Sequence, residues 1–137
     1  MSRQDEPFDT VEKPRHYNVH PSGFEAIEIC RHMSFNIGNV IKYCWRAGLK
    51  GGTTEDLRKA LWYLKDAEKN EEDTAGRAGS WLTWKIVRVV LTSPDDSPLA
   101  MCLATFFEPV DGPRMEPRLE TFRKWLEAHL ATLGETP

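Results

Sequence analysis

The sequence predicts an all-α fold, a small helical domain of about three helices with a helical C-terminal extension. Three observations carry that prediction. Apolar residues recur at helical spacing along most of residues 23–133, as one buried face of each helix requires. Residues suited to capping, such as Ser22, Thr53, Thr54 and the Ser97-Pro98 pair, precede the periodic segments. Only residues 81–92 have a composition rich enough in Ile, Val and Thr to suggest a strand.

Taken in order, residues 1–12 are polar and acidic without periodicity and read as a mobile arm. Ser22 and Glu25 have the spacing of a capping box, which starts a first helix over about residues 23–33. Its apolar face is Ala26, Ile29, Cys30 and Met33, while Glu25, Glu28 and His32 fall on another face. A second helix spans about residues 36–47, capped by Ser34 or Asn36 and ended by Gly48 in the left-handed conformation. Ile37, Val40, Ile41 and Cys44 form its core stripe, and Asn39, Lys42 and Arg46 form a separate polar stripe. After a glycine-rich loop, Thr53 or Thr54 caps a third helix that opens at Glu55 or Asp56 and reaches Lys69. Leu57, Ala60, Leu61 and Leu64 are its buried positions; Lys59, Tyr63 and Asp66 share another face.

Residues 13–70 thus form the helical domain, residues 71–80 a polar linker, and residues 81–137 the extension. Within the extension, Trp81, Trp84, Val87 and Leu91 fit a helical stripe, which favours helix over strand for residues 81–92. Pro98 suits the first turn of a helix that runs to about Phe107. Residues 116–133 form a last amphipathic helix carrying Leu119, Phe122, Leu126 and Leu130.

The chain has 137 residues, enough for one domain with a modest core and no need of disulfides. Its 18 Lys and Arg against 21 Asp and Glu give a net charge of −3. A general nucleic-acid coat needs a basic excess to displace counterions, so that class is excluded; a local basic pocket is not. The three cysteines, Cys30, Cys44 and Cys102, lie in apolar surroundings without CxxC spacing and read as reduced core residues. No apolar run has the length of a membrane span, and residues 1–9 are too polar for a signal peptide. The expected location is the cytoplasm, or the host cytoplasm for a phage-encoded chain.

The strongest constellation for chemistry is the Asn39, Lys42, Arg46 stripe leading into Lys50 and the Gly51-Gly52 turn. Lys supplies a point charge for phosphate, Arg a bidentate fork, and glycine lets backbone amides approach an anion closely. The glycine loop lacks the Walker A order, so a P-loop kinase fold is not supported. Glu25 and Glu28 have the i, i+3 spacing with which helical nucleotide pyrophosphatases hold magnesium, but no second acidic pair repeats it. Glu25 is equally explained by capping, or by accepting a hydrogen bond from a sugar hydroxyl. Lys13, His16 and Tyr17 offer an aromatic segment able to fold over a base, or to pack against the helices. Of the adjacent Trp62 and Tyr63, Tyr63 is the better ligand-facing residue because it shares a face with Lys59. Trp45, Trp81, Trp84 and Trp125 read as core or subunit-contact residues.

Four pieces of the chain together resemble a small domain family common in tailed phages: Lys13-Pro14-Arg15-His16-Tyr17-Asn18, Gly23-Phe24-Glu25-Ala26-Ile27, Gly38-Asn39-Val40-Ile41-Lys42-Tyr43-Cys44-Trp45-Arg46-Ala47-Gly48-Leu49-Lys50, and Asp56-Leu57-Arg58-Lys59-Ala60-Leu61-Trp62-Tyr63-Leu64. One member of that family is a nucleotide kinase that phosphorylates deoxynucleoside monophosphates without a P-loop. The resemblance implies a (deoxy)nucleotide-binding protein. Asn39, Lys42, Tyr43, Arg46 and Lys50 fall on its patterned positions. If the chain is an enzyme, Lys42 and Arg46 are the catalytic candidates for transfer of a phosphoryl group from ATP or another nucleoside triphosphate. Magnesium would then arrive with the nucleotide, and no metal held by the protein itself is expected. The substrate-binding candidates are Lys13, His16, Tyr17, Glu25, Asn39, Tyr43, Lys50, Lys59 and Tyr63. The alternatives are a non-catalytic nucleotide-binding or sequestering protein, an adaptor acting on a host enzyme, and a helical nucleotide pyrophosphatase. The expected partners are a nucleotide and further copies of the chain, with neither membrane nor nucleic acid.

Overall fold

A computed structural model describes residues 20–49, 53–72, 80–107 and 115–134. These residues form six helices and no strand: α1 (Ile27–Cys30), α2 (Phe35–Ala47), α3 (Thr53–Lys69), α4 (Ser80–Thr92), α5 (Pro98–Phe107) and α6 (Met115–Thr132). The all-α expectation holds, and α4 is helical despite its β-branched content. No helix is long and apolar enough to cross a membrane among the described residues.

α2 and α3 form the central pair; α5 packs on α2, α6 on α3 and α5, α4 on α5, and α1 on α2. The predicted stripes supply the contact. Ile37, Val40, Ile41 and Cys44 of α2 and Leu57, Ala60, Leu61 and Leu64 of α3 are all buried. So are Leu119, Phe122, Leu126 and Leu130 of α6. One apolar cluster runs through all six helices, so residues 82–130 complete the same core that α1 to α3 begin. Each fully buried Leu, Ile or Phe contributes about 1.5–3 kcal/mol. Cys102 lies wholly inside with Cys44 as hydrogen-bond neighbour, and burial pushes its thiol well above the ordinary range. Cys30 is similarly pushed up to about 12 by burial. All three cysteines are free thiols, in agreement with their reading as reduced core residues.

Local details depart from the sequence reading in four places. The first helix spans Ile27–Cys30 rather than residues 23–33, because Gly23 turns the chain at φ 83° before it starts. The Ser22–Glu25 box does not form. Ser22 Oγ instead accepts the Phe24 N–H at 3.1 Å, and Glu28 Oε2 accepts the Glu25 N–H at 2.7 Å. Gly48 ends α2 at φ −87°, not in the left-handed region. The last turn is completed by Thr53, whose hydroxyl donates to the Ala47 carbonyl at 2.9 Å and which itself begins α3 instead of preceding it.

The fourth departure concerns the start of α2. Ser34 occupies the cap position, but its side chain makes no cap hydrogen bond. Glu72 serves there instead. Its Oε1 accepts the N–H groups of Asn36 at 2.8 Å and Ile37 at 3.4 Å, and its Oε2 accepts from Asn36 Nδ2 at 2.7 Å. The C-terminal turn of α3 aims Glu72 at this target. Glu71 adopts φ 52°, the Glu72 N–H bonds the Ala67 carbonyl at 2.9 Å, and the Glu71 N–H bonds the Glu68 carbonyl at 3.2 Å. These two bonds define a Schellman ending with Glu71 in the position usually held by glycine. Residues 71 and 72, read from sequence as the start of a linker, are thereby part of the central helix pair.

α4 is anchored to the turn before α1 through His20, which is buried beside Trp45 with ring centroids 4.9 Å apart. The Ser22 N–H donates to His20 Nδ1 at 3.0 Å, so that nitrogen is unprotonated. Nε2 therefore carries the proton and donates to Ser93 Oγ at 3.0 Å, while Arg88 Nε donates to the Ser22 carbonyl at 3.1 Å. Burial lowers the His20 pKa from the usual 6.5 and keeps the ring neutral.

Candidate functional site

The polar stripe of α2 and one face of α3 meet around Tyr43. The Tyr43 ring stacks on Tyr63 of α3 with centroids 5.8 Å apart and planes inclined by 14°. Three cations surround it: Lys42 Nζ at 4.9 Å from the ring centroid, Lys59 Nζ at 5.6 Å and the Arg46 guanidinium carbon at 6.0 Å. The geometry follows from the helices. Positions 42, 43 and 46 lie on adjoining faces of α2, positions 59 and 63 are i, i+4 on α3, and the antiparallel pair brings both sets to one rim.

The electrostatics leave this rim positive. Lys59 has a partner in Glu55 at 3.3 Å, an exposed i, i+4 pair that neutralises little. Among the described residues no carboxylate pairs with Lys42 or Arg46, and the buried Arg46 Nε has no hydrogen-bond partner. Aromatic surface continues the rim. Phe35 and Trp62 make edge contacts to Tyr63 at 6.1 and 5.1 Å and are 75% and 62% exposed, far more than rings of that size ordinarily leave to water.

Beside Lys42 a shallow groove of about 260 Å³ runs between α1 and α2, with Ile27, Cys30 and Met33 as apolar wall and Asn39, Lys42 and Arg31 at its polar edge. Gly38 makes this close approach of the helices workable, because a Cβ there would sit 3.2 Å from the Cys30 carbonyl oxygen. Asn39 Nδ2 is turned back to the Phe35 carbonyl at 2.8 Å.

The structure thus brings together Lys42, Tyr43, Arg46, Lys59 and Tyr63, with Asn39 at the groove end of the same stripe. Glu25 belongs to another surface: it precedes α1, and its backbone N–H is held by Glu28. Glu28 also accepts from Lys85 Nζ at 3.0 Å, so both of its oxygens are engaged by protein donors. Burial pushes its carboxyl up, but the Glu25 N–H and Lys85 outweigh that and hold it below the ordinary carboxylate value. Lys13, His16, Tyr17 and Lys50 lie outside the described residues.

Two aromatics of the rim were not chosen as site residues. Phe35 carries no motif signal beyond being aromatic, whereas Trp62 lies in the fourth motif piece, where Tyr63 was preferred to it, and its exposure places it on the same rim. Asp56 is 4% exposed, and its Oδ2 has no partner among the described residues.

A model for a family described only as a protein of unknown function (DUF3310) matches residues 11–65, which contain all four motif pieces and, within the described part, α1, α2 and most of α3. No curated protein and no solved structure matches the chain.

Proposed function

We propose that the rim formed by α2 and α3 binds a nucleotide, with Lys42, Arg46 and Lys59 on its phosphates and the exposed rings of Phe35 and Trp62 against its base. The observation that supports this reading is the convergence of three cations within 6.0 Å of one ring, two of them without a carboxylate partner among the described residues. The Tyr43 ring attracts each of the three cations and so gathers them on one rim. A phosphate there gains from all three charges, and an aromatic surface that stays exposed is what a base needs for stacking. Asn39 and the groove beside Lys42 offer the sugar an amide and an apolar wall.

The reaction consistent with this arrangement is phosphoryl transfer from a nucleoside triphosphate to a nucleoside monophosphate, the activity implied by the phage-family resemblance. Lys42 and Arg46 would offset charge on the phosphoryl oxygens, and positioning would supply most of the acceleration. Reversible nucleotide binding without turnover uses the same contacts and is the second reading. It is favoured by Glu55 being the one carboxylate in contact with the cation cluster among the described residues.

Titration calorimetry of the full chain with deoxynucleoside monophosphates and with ATP and magnesium tests the site. Arg46→Ala should weaken binding by about 1.5–3 kcal/mol, the value of a charged hydrogen bond, and Arg46→Lys by less, since an ammonium keeps charge without the planar fork. Lys42→Ala should act in the same direction. Lys124→Ala, on the exposed Lys124–Glu120 pair of α6, should change nothing. Unchanged affinity in a folded Arg46→Ala protein would refute the phosphate site, and separation of labelled products distinguishes a kinase from a binder.

A further inference from the structure

We infer that α4 is the contact surface of a symmetric dimer, in which a second copy of this chain lies antiparallel across its outer face. α4 is apolar on two opposite sides. Leu82, Ile86 and Val89 face the core and are at most 4% exposed. Trp81, Trp84, Val87 and Leu91 face outward and are 52%, 60%, 47% and 78% exposed. Together these four side chains leave on the order of 500 Å² of largely apolar surface uncovered, given that a large aromatic side chain alone presents about 150–250 Å². A patch of that extent is at the upper end of what a monomer tolerates, and it is more than half of the roughly 800 Å² that each partner buries in a stable complex.

The relief of this face suits a copy of itself. The two protruding indoles occupy the N-terminal half of α4. The C-terminal half borders a groove of about 440 Å³ between α4 and α5, with Val87, Val90, Leu91 and Phe107 among its walls. A twofold axis crossing α4 near Ile86 exchanges the halves, so that Trp81 of each copy meets Leu91 of the other and Trp84 lies over the opposing groove. Knob and groove on one patch, related through a single axis, is the condition for an isologous interface.

One charge of α4, that of Arg88, borders the patch without a carboxylate partner among the described residues; the outward stripe itself is apolar. α4 carries Lys85 and Arg88 and no acid. Both are drawn to the α1 side: Lys85 pairs with Glu28 at 3.0 Å, and Arg88 donates to the Ser22 carbonyl. The edge next to α1 extends the apolar surface, since Trp84 meets Phe24 edge-on at 5.7 Å and Trp81 meets His32 at 4.7 Å.

Sedimentation equilibrium of the full chain at micromolar concentration should give twice the 15.7 kDa of one chain. Leu91→Glu and Trp84→Glu place a charge in the interface and should each raise the dimer dissociation constant by at least about a hundredfold, with the circular dichroism melt retained because both side chains are already exposed. Trp62→Glu, an equally exposed indole on α3, should leave the dimer intact. Val87→Cys, next to the axis, should form a disulfide with its own copy under mild oxidation. A monomeric chain overturns the inference, as does a dimer that survives both α4 substitutions or dissociates equally with Trp62→Glu. Nucleotide affinity does not enter these readouts, so the interface stands or falls separately from the site on α2 and α3.

Discussion

Replacing Glu72 by Ala removes the group that starts α2, and the loss can be worked out bond by bond. Glu72 Oε1 accepts two backbone N–H groups of the first turn, at 2.8 and 3.4 Å, and Oε2 accepts one Asn36 amide hydrogen at 2.7 Å. Asn36 is 5% exposed, so its N–H gains little from water once the carboxylate is gone. The side-chain amide keeps a second acceptor in Asp66 Oδ2 at 2.8 Å, which limits the damage there. A lost N-cap costs about 0.5–2 kcal/mol, an orphaned buried donor about 1–3 kcal/mol, and loss of a carboxylate from the positive end of the helix about 0.3–1 kcal/mol. These terms overlap, and about 2–4 kcal/mol is expected. That corresponds to a fall in melting temperature of roughly 10 °C for a chain of this size. Glu72→Gln, which keeps an oxygen for the backbone but loses the charge, should cost about half as much. Urea and thermal unfolding followed at 222 nm measure both. A Glu72→Ala protein within 0.5 kcal/mol of the parent would refute the cap, as would a double-mutant cycle with Asn36→Ala showing no coupling.

Glu71 holds φ 52° at the turn that delivers Glu72, a conformation costing a non-glycine residue about 1–2 kcal/mol. Glu71→Gly should therefore raise stability, by about 0.5–1 kcal/mol after the added freedom of the unfolded chain is deducted, and a lowered urea midpoint would contradict the turn geometry. His20 is held neutral by burial, so the unfolded chain binds a proton that the folded chain refuses. Its contribution to stability is intact above pH 6.5 and is lost as pH falls below that value; replacing it by Gln should flatten the pH dependence of the melting temperature between pH 7 and 5. Deleting residues 80–137 strips α5 from α2 and α6 from α3, and removes Cys102 from beside Cys44. Such a fragment should show no cooperative melt by circular dichroism, and a sharp transition would mean that the first three helices are a self-sufficient unit.

Periodicity made most of the fold legible. The stripes of α2, α3 and α6 could be assigned because each helix has one apolar face and one polar face, and every residue assigned to those three stripes is buried. α4 shows where this reasoning stops. Both sides of that helix are apolar, so spacing identifies a helix but cannot say which side meets the core. The stripe chosen from sequence, Trp81, Trp84, Val87 and Leu91, is the exposed one. Helix ends were read less well for a related reason. Thr53 completing α2 and Glu72 starting it are tertiary contacts, across 6 and 36 residues, and local cap rules consider only neighbours in sequence.

The candidate site was legible in proportion to how far it lies on helices. Lys42, Tyr43 and Arg46 share α2, so their mutual placement follows from the helical repeat, and Lys59 and Tyr63 likewise on α3. What spacing could not supply was the rotation of one helix against the other. That rotation is set by the buried stripes, with Leu57, Ala60, Leu61 and Leu64 facing Ile37, Val40, Ile41 and Cys44, and it leaves positions 43 and 63 at the rim where their rings stack. The core therefore fixes the site indirectly. A change that only trims a buried side chain, such as Leu61→Ala, should reach the site through the packing of the helix pair. The cluster needs no dedicated scaffold of its own, because the packing that makes the helix pair stable also brings cations from two helices to one ring.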